Sequence, residues 1–455
     1  MEDINAAIQE HNPLSLGLSA IQRGWLSFSL MAIMLTNTIC WARFERAGLG
    51  RYSQAALSWM FRHAKLPWEK LFQMSVTVIL RRLGIKGGIL VVDDSDKARS
   101  KTTRTIAHVH KLHDKASGGF IMGQNLVFLL LVSELITVPV GFAFYEPDPV
   151  QTRWAKQDKA LKKQGVAKRQ RPPKPPRHPA YPTKLELGLR LLAQFKQYHP
   201  TITVKCVLAD ALYGSAAFVD TASAIFGGVQ VISQLRSNQK VRFRNRTLSV
   251  AQYFARTLGV AQRYRIRGGG PVTLTVSSAR LYVDAQGKKR FVVALKYEGE
   301  TEYRYLVAAD LTWRTEDIVQ AFTLRWLIEV FFEDWKGYEG WSALTMQPGA
   351  EGSSRSLILS LLVDQCLLLH PDQLAQLQHR QPAFTVGSLI NRIKVESVLT
   401  VIREVLTAAD PEHHLQQLSD ILLQYFDLRP SEKHMVGRDV GCLEPSPSLK
   451  YKAAA

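Results

Sequence analysis

Apolar positions between residues 54 and 83 recur at the three- and four-residue spacing of an amphipathic helix, and Pro67 stands where a new helix can start. All of 1–84 has this helical texture, with little β-branched clustering; it fits either a bundle that only packs or a DNA-binding head. From residue 88 the pattern shortens. Gly88-Ile89-Leu90-Val91-Val92 is a β-rich run that ends in Asp93-Asp94-Ser95-Asp96. Strand-like runs follow at 125–132 and 137–145, a helical stretch at 183–198, and a strand from Ile202 to Leu208 that ends in Ala209-Asp210. A short helix and a strand from Val229 to Leu235 come next, and a long helix is predicted over 315–339. This order predicts an α/β fold with a mixed sheet. Two of its strands end in acidic residues, and sites in open α/β sheets form at strand carboxyl ends.

One apolar stretch raises a membrane question. Residues 24–42 carry no charge and approach the roughly 20 residues that a span needs. Ser27, Ser29, Thr36, Asn37 and Thr38 interrupt it, and Arg23 and Arg43 flank both ends, so the expectation is a buried helix and no membrane. The acidic start Met1-Glu2-Asp3-Ile4 lacks the basic-then-apolar run of a signal peptide, and Cys40, Cys206, Cys366 and Cys442 form no C-x-x-C pair. Both features fit a cytoplasmic chain without a disulfide framework.

Charge then narrows the partner. The chain has 455 residues with 58 Lys+Arg against 39 Asp+Glu, a net charge of +19. With 46% hydrophobic residues it is a folded chain, and its basicity points to a polyanion. Residues 151–182 hold ten Lys/Arg, six prolines and one acid, Asp158, as expected of a basic surface arm or linker. Residues 236–283 hold ten Lys/Arg and no acid, Arg242, Arg244 and Arg246 among them. Their alternation, as in Tyr264-Arg265-Ile266-Arg267, predicts antiparallel strands. A merely solvated face mixes charge signs, so the missing acids favour contact with phosphates.

The predicted helix 315–339 carries the densest chemistry. At about 100° per residue, Arg325, Glu329 and Lys336 fall within about 40° of one another, while Trp326, Leu327, Ile328, Val330, Phe331 and Trp335 spread over the rest. The expectation is a buried helix with one polar stripe. Three carboxylates, Asp94 and Asp210 at strand ends and Glu329 on that stripe, could hold two divalent ions, Mg²⁺ or Mn²⁺, for in-line phosphoryl displacement. Side chains alternate along a strand, so Asp93 and Asp94 point to opposite faces; Asp93 is the rival for the first position. His108, His110 and His113 could bind zinc or belong to a DNA-facing or solvated loop, and Trp313 could stack on a base or pack in the core.

The spacing Arg325-(3)-Glu329-(6)-Lys336 resembles the Y-(2)-R-(3)-E-(6)-K signature of bacterial DDE transposases of the insertion-sequence-four family. Val91-Val92-Asp93-Asp94-Ser95 resembles the family's first acidic segment, and Val207-Leu208-Ala209-Asp210-Ala211-Leu212-Tyr213-Gly214 its second. Phe322 stands where the signature has Tyr. The resemblance spans about residues 85–345 and implies a ribonuclease-H-like catalytic core with a β-rich insertion. It implies Asp94, Asp210 and Glu329 as metal-binding catalytic residues, Arg325 and Lys336 as phosphate contacts, and a homodimer holding two DNA ends in a synaptic complex. The implied division is a helical DNA-binding domain at 1–84, core at 85–235 and 313–370, a basic β-rich insertion at 236–312, and a helical C-terminal region at 371–455. The implied function is cut-and-paste transposition on double-stranded DNA, acting at the element's terminal inverted repeats and at the target, in the bacterial cytoplasm beside the nucleoid. A ribonuclease-H-like nuclease without strand transfer, and a non-catalytic DNA-binding protein, are the alternatives.

Overall fold

Two helix starts in the first 84 residues carry side-chain caps, at Ser19 and Ser53. Ser19 opens α2 (Ala20–Thr36) with a capping box closed by Gln22, and Asn37, at φ +49°, ends it in the left-handed region. With α1 (Glu2–His11), α3 (Trp41–Ala47), α4 (Gln54–His63) and α5 (Trp68–Arg82) it encloses Trp25, Trp41, Phe44, Phe61 and Trp68. Trp25 lies 6.1 Å, centroid to centroid, from both Trp41 and Trp68. The uncharged stretch 24–42 therefore bends by 91° between α2 and α3. Among the described residues no single helix is long and apolar enough to cross a membrane.

This computed structural model describes residues 2–11, 17–99, 105–114, 118–265, 270–341, 343 and 347–426. Ile266, Arg267, Cys442 and the tail from 427 onward lie outside the described residues.

The mixed sheet begins with β1 (Gly87–Arg99), β2 (His110–His113), β3 (Phe120–Val132) and β4 (Thr137–Tyr145). A basic helix, α6 (Pro149–Lys163), precedes α7 (Lys184–Tyr198), β5 (Thr203–Ala209), α8 (Ala216–Ile225) and β6 (Gln230–Leu235). The strands lie in the order β4-β3-β1-β5-β6, with β4, β3 and β1 antiparallel and β1, β5 and β6 parallel. This mixed α/β arrangement is consistent with a ribonuclease-H-like nuclease domain. β1 outruns the expected strand by reaching Arg99, because β3 pairs with it from Ile89↔Val132 to Arg99↔Met122. That ladder overrides the poor strand propensity of Asp and Lys.

The acid-free region forms β7 (Lys240–Phe243), β8 (Arg246–Ser249), α9 (Val250–Phe254), β9 (Val260–Arg265) and β10 (Pro271–Val283). β11 (Lys288–Tyr297) and β12 (Arg304–Ala308) follow, and β12 pairs with β6, so these strands extend the same sheet. They keep a small core of their own around Val241, Phe254, Val283 and Val307.

The helix expected over 315–339 is divided. α10 (Thr315–Thr323) and α11 (Leu327–Tyr338) are joined by one tighter turn of 3₁₀ helix at Leu324–Trp326. Short 3₁₀ turns within helices often mark functional positions, and Arg325 sits in this one. Burial also departs from the expectation. Ile328, Phe331 and Trp335 are buried, but Trp326 is 49% exposed and the Glu329 side chain 53% exposed. α11 covers the sheet with one face only, so its polar stripe runs along the rim instead of inside the core.

α12 (Gly349–Leu368), α13 (Pro371–Gln378), α14 (Val386–Thr407) and α15 (Pro411–Tyr425) complete the chain. α12 is buried along most of its length and ties the N-terminal helices to the sheet: Ser75 hydrogen-bonds Gln365, and Arg355 donates to the Phe61 carbonyl at 2.9 Å.

The basic arm is more ordered than an expected linker. Asp148 accepts from Val150 N (2.8 Å) and Gln151 N (3.3 Å), and Pro149 fits the first turn, so α6 starts firmly. No residue of α6 is buried. The Pro-rich return is held by Trp154 Nε1 donating to Pro172 O (2.8 Å) and by Arg171 bonding Asp158 (2.8 Å).

Candidate active site at the ends of two parallel strands

Register decides which acidic side chains meet. β1 and β5 are parallel, and their ladder ends at Val92↔Ala209. Paired residues share a face, so one step further puts Asp93 beside Asp210 on one side of the sheet and turns Asp94 to the other. Asp93 lies opposite Phe128 of β3. Phe128 packs against Phe331, Phe332 and Trp335 of α11, with ring centroids 5.8, 5.4 and 5.0 Å away. Such edge-on pairs contribute about 0.5–1.5 kcal/mol each beyond burial. They clamp α11, and hence Glu329, over the Asp93 face.

Arg325 joins β1 to α11. Its Nη1 lies 2.9 Å from Asp93 Oδ2 and its Nη2 lies 2.5 Å from Glu329 Oε1. The guanidinium stands 5.9 Å from the Phe322 ring, the residue in the signature's Tyr position. Asp93 also accepts the backbone N–H of Asp94 at 2.8 Å. Burial, and then the nearby Asp210 charge, push its carboxyl up to about 7 despite Arg325. Asp210 is raised as well, by burial and then by Asp94. Its Oδ1 accepts from Leu212 N (2.8 Å) and its carbonyl from Ser233 Oγ (2.6 Å), which fixes the turn after β5. Gly214 closes that turn: a Cβ there would meet Gln234 O at 2.7 Å.

Asp94 has a different setting. On the α7 side of the sheet its Oδ2 bonds Lys184 Nζ (2.7 Å) and Asn125 Nδ2 (2.9 Å). Asp96 also bonds Asn125. The buried Tyr213 hydroxyl, without a hydrogen-bond partner among the described residues, lies in the field of Asp94, Asp93 and Asp210. Lys184, Asn125 and Tyr213 escaped the sequence reading as site residues. Lys184 and Asn125 sit in ordinary helical and strand patterns, and only Tyr213 carried a signal, inside the segment quoted around Asp210.

The other expected residues lie apart. Lys336 is two turns along α11 from Glu329, about 10.5 Å at 1.5 Å per residue. Arg242 pairs with Asp284 at 2.6 Å and stacks on Tyr282. Arg244 and Asn245, at φ +45° and +60°, form the tip of the β7–β8 hairpin, and Arg246 follows, exposed. The three histidines take separate partners. His108 pairs with Glu146 (3.1 Å) and stacks on Phe144, His110 meets Tyr145 edge-on, and His113 meets Phe120. Trp313 packs against the main core.

The donor set suits a hard divalent cation, since it offers carboxylate oxygens whose mutual repulsion and burial raise two pKa values. As it stands, no three His, Cys, Asp or Glu side chains among the described residues form a metal-holding group. Arg325 instead bridges Asp93 and Glu329 and supplies positive charge there.

No curated protein matches the chain at a significant level. A profile of the DDE superfamily endonuclease family matches residues 22–290, which hold β1, β5 and both acidic strand ends. That match covers well over half of the 455 residues, and the chain belongs to the DDE superfamily endonucleases.

Proposed function

We propose that this endonuclease is a transposase of its superfamily, with Asp93, Asp210 and Glu329 as its acidic triad. Enzymes of the superfamily generally use divalent metals such as Mg²⁺. The observation that carries the assignment is the shared face of Asp93, Asp210 and the α11 helix, with Arg325 touching Asp93 and Glu329. Asp94, preferred on sequence, is held by Lys184 and Asn125 on the opposite face, and we give it a supporting part. In this reading Asp93, Asp210 and Glu329 would hold the metal, and Arg325, which pairs with Asp93 and Glu329, would hold a DNA phosphate. Divalent cations bound there would supply an activated water and stabilise the leaving oxygen.

The protein's own contribution is alignment. Arg325 and Lys336 hold phosphates beside the scissile one, so that water attacks in line, the P–O3′ bond breaks, and a 3′-hydroxyl is freed. That hydroxyl then attacks target DNA in the same geometry. Two copies holding two ends would suit the apolar faces of α14 and α15, where Val398, Ile402, Leu406 and Leu423 are exposed among the described residues.

Supercoiled plasmid should be nicked by the native chain with Mg²⁺ or Mn²⁺ and left intact with EDTA. Glu329→Gln should bind DNA normally yet fail to nick. A Glu329→Gln protein that nicks at the native rate would sink the triad. Joining of a 3′-hydroxyl end to a second duplex separates a transposase from a nuclease.

The hairpin tip gives a second expectation. Arg244→Gln with Arg246→Gln should flatten the slope of log K against log salt by about 1.8, at about 0.9 per phosphate contact on duplex DNA. Arg242→Gln should change it less, because Arg242 already spends its charge on Asp284. Isothermal binding across salt concentrations measures both, and an unchanged slope in the double variant would mean the tip faces solvent in the complex.

A further inference from the structure

Between β4 and α7 the chain makes an excursion that adds nothing to the core. From Pro149 to Pro182, which covers α6 and its Pro-rich return, no residue is buried. The excursion is braced all the same. Asp148, only 2% exposed, holds both of its feet: Oδ1 accepts from Val150 N and Gln151 N, and Oδ2 accepts from His178 N at 2.9 Å. Above the feet three cross-ties join helix to return. Gln151 Nε2 donates to Pro175 O (3.1 Å), Trp154 Nε1 to Pro172 O (2.8 Å), and Arg171 to Asp158 (2.8 Å). Gln151, Trp154 and Asp158 follow three- and four-residue spacing, so the ties use one stripe of α6. At about 100° per residue, Lys156, Lys159 and Lys163 lie within about 60° of one another, on the side away from that stripe.

This lysine face has no counter-charge in the chain. All three lysines are exposed, and the excursion's one acid, Asp158, is taken by Arg171. Among the described residues none of the three forms an ion pair. Lysines three and four apart on a helix repel, and a helix that is merely solvated offsets them with acids at the same spacing. A segment held in shape, charged against itself and without a core to build is arranged for an anion outside the chain.

Its place in the fold says which anion. β1 and β4 both pair antiparallel with β3, so they run in the same direction. α6 therefore leaves the sheet at the end that carries Asp93 and Asp210. Tyr145, the last residue of β4, is level with Asp96 across two strand spacings of about 4.8 Å each. Lys184, just past the second foot, stands 5.5 Å from the Tyr145 ring and 2.7 Å from Asp94.

We propose that the Lys156–Lys159–Lys163 face of α6 docks on the phosphate backbone of duplex DNA beside the cleaved bond. The surface rests on the DNA-cleaving reading above and deepens it by naming the flank on which the duplex is held. Lys156 and Lys163 are about 10.5 Å apart along the helix, close to the roughly 12 Å width of a major groove, so phosphates of both strands come within reach. The cross-ties order the face before DNA arrives, so less freedom is lost on contact. Contacts to phosphates carry no sequence information, so the face sets affinity and leaves sequence preference alone.

The test is equilibrium binding of the full chain to a fluorescein-labelled 40-base-pair duplex of arbitrary sequence, in EDTA, across a salt series. Lys159→Gln with Lys163→Gln should reduce the slope of log K against log salt by about 1.8, at about 0.9 per phosphate contact. Lys159→Arg with Lys163→Arg should keep the native slope. The control is Lys86→Gln with Lys205→Gln, which removes two exposed lysines near the starts of β1 and β5, at the other end of the sheet, and should leave the slope as it is. An unchanged slope in the α6 Gln pair would overturn the surface. An equal drop in the control pair would overturn it too, by reducing the effect to net charge. A native slope on DNA, with binding to phosphatidylserine vesicles lost in the α6 Gln pair, would replace it by a membrane-facing surface. Because the readout needs no metal, it is independent of nicking. A chain whose slope depends on Lys159 and Lys163 but which never nicks fails the cleavage reading and leaves the DNA surface standing; a chain that nicks with a slope indifferent to them does the reverse.

Discussion

Asp93→Asn is expected to abolish cleavage and, at pH 8, to raise the melting temperature. Both effects come from one carboxyl. An ordinary Asp ionises near 3.8, whereas burial and Asp210 hold the Asp93 carboxyl up to about 7. Between those values the folded chain binds a proton that the unfolded chain has lost, so stability falls as pH rises through this window and levels off above it. At 1.36 kcal/mol per pH unit the full cost at pH 8 is at most about 4 kcal/mol, and sharing of charge with Arg325 and water brings it nearer ~2 kcal/mol. Asparagine never ionises and escapes that cost. Its melting temperature should therefore exceed the parent's by several degrees at pH 8 and match it at pH 4. A divalent cation should stabilise the parent at pH 8 and the variant far less. Asp94→Asn should behave oppositely, losing stability through its weakened contact with Lys184 and retaining most of its cleavage. Cleavage by Asp93→Asn together with loss of cleavage in Asp94→Asn would return the first position to Asp94.

Much of this site is legible in the sequence, and the residues that are not share a cause. The two acidic strand ends and the Arg-Glu-Lys spacing point to the candidate site because they depend on local order: a strand run, then an acid, or a fixed offset along a helix. The choice between Asp93 and Asp94 depends on which face α11 covers. That is set by Phe128, in a different strand, meeting Phe331 and Trp335. No periodicity within β1 contains that information. The break at Leu324–Trp326 was hidden for another reason. No Pro or Gly marks it, and a 3₁₀ turn keeps almost the same apolar spacing as an α-helix. Aromatic content predicts a surrounded helix and a buried Glu329, whereas α11 lies at a rim with Trp326 and Glu329 exposed.

Arg325→Ala should lose about 100-fold in single-turnover cleavage, the scale of a displacement of about 1 Å at the reacting bond. The reason lies in the two states that Arg325 has to serve. Without DNA and metal it pairs with Asp93, whose side chain is 14% exposed, and with the half-exposed Glu329. Breaking a fully buried pair costs about 3–5 kcal/mol. Here the Glu329 contact is worth under about 1 kcal/mol, and Asp93 can take up a proton when its partner is removed. The loss of stability should thus stay near ~1–2 kcal/mol. Metal affinity should move the other way. A guanidinium and a divalent cation compete for the same carboxylate oxygens, so removing the former should tighten Mn²⁺ binding, by about tenfold for every 1.4 kcal/mol of repulsion relieved. Calorimetric Mn²⁺ titration, melting temperature and single-turnover cleavage on one variant separate the two roles. Tighter metal binding with slow cleavage fits an arginine that guards the carboxylates and then holds a phosphate. Arg325→Lys should fall between, since it keeps the charge and loses the two-pronged contact. A large drop in melting temperature, with metal affinity and cleavage per folded molecule unchanged, would reduce Arg325 to a structural partner of Asp93.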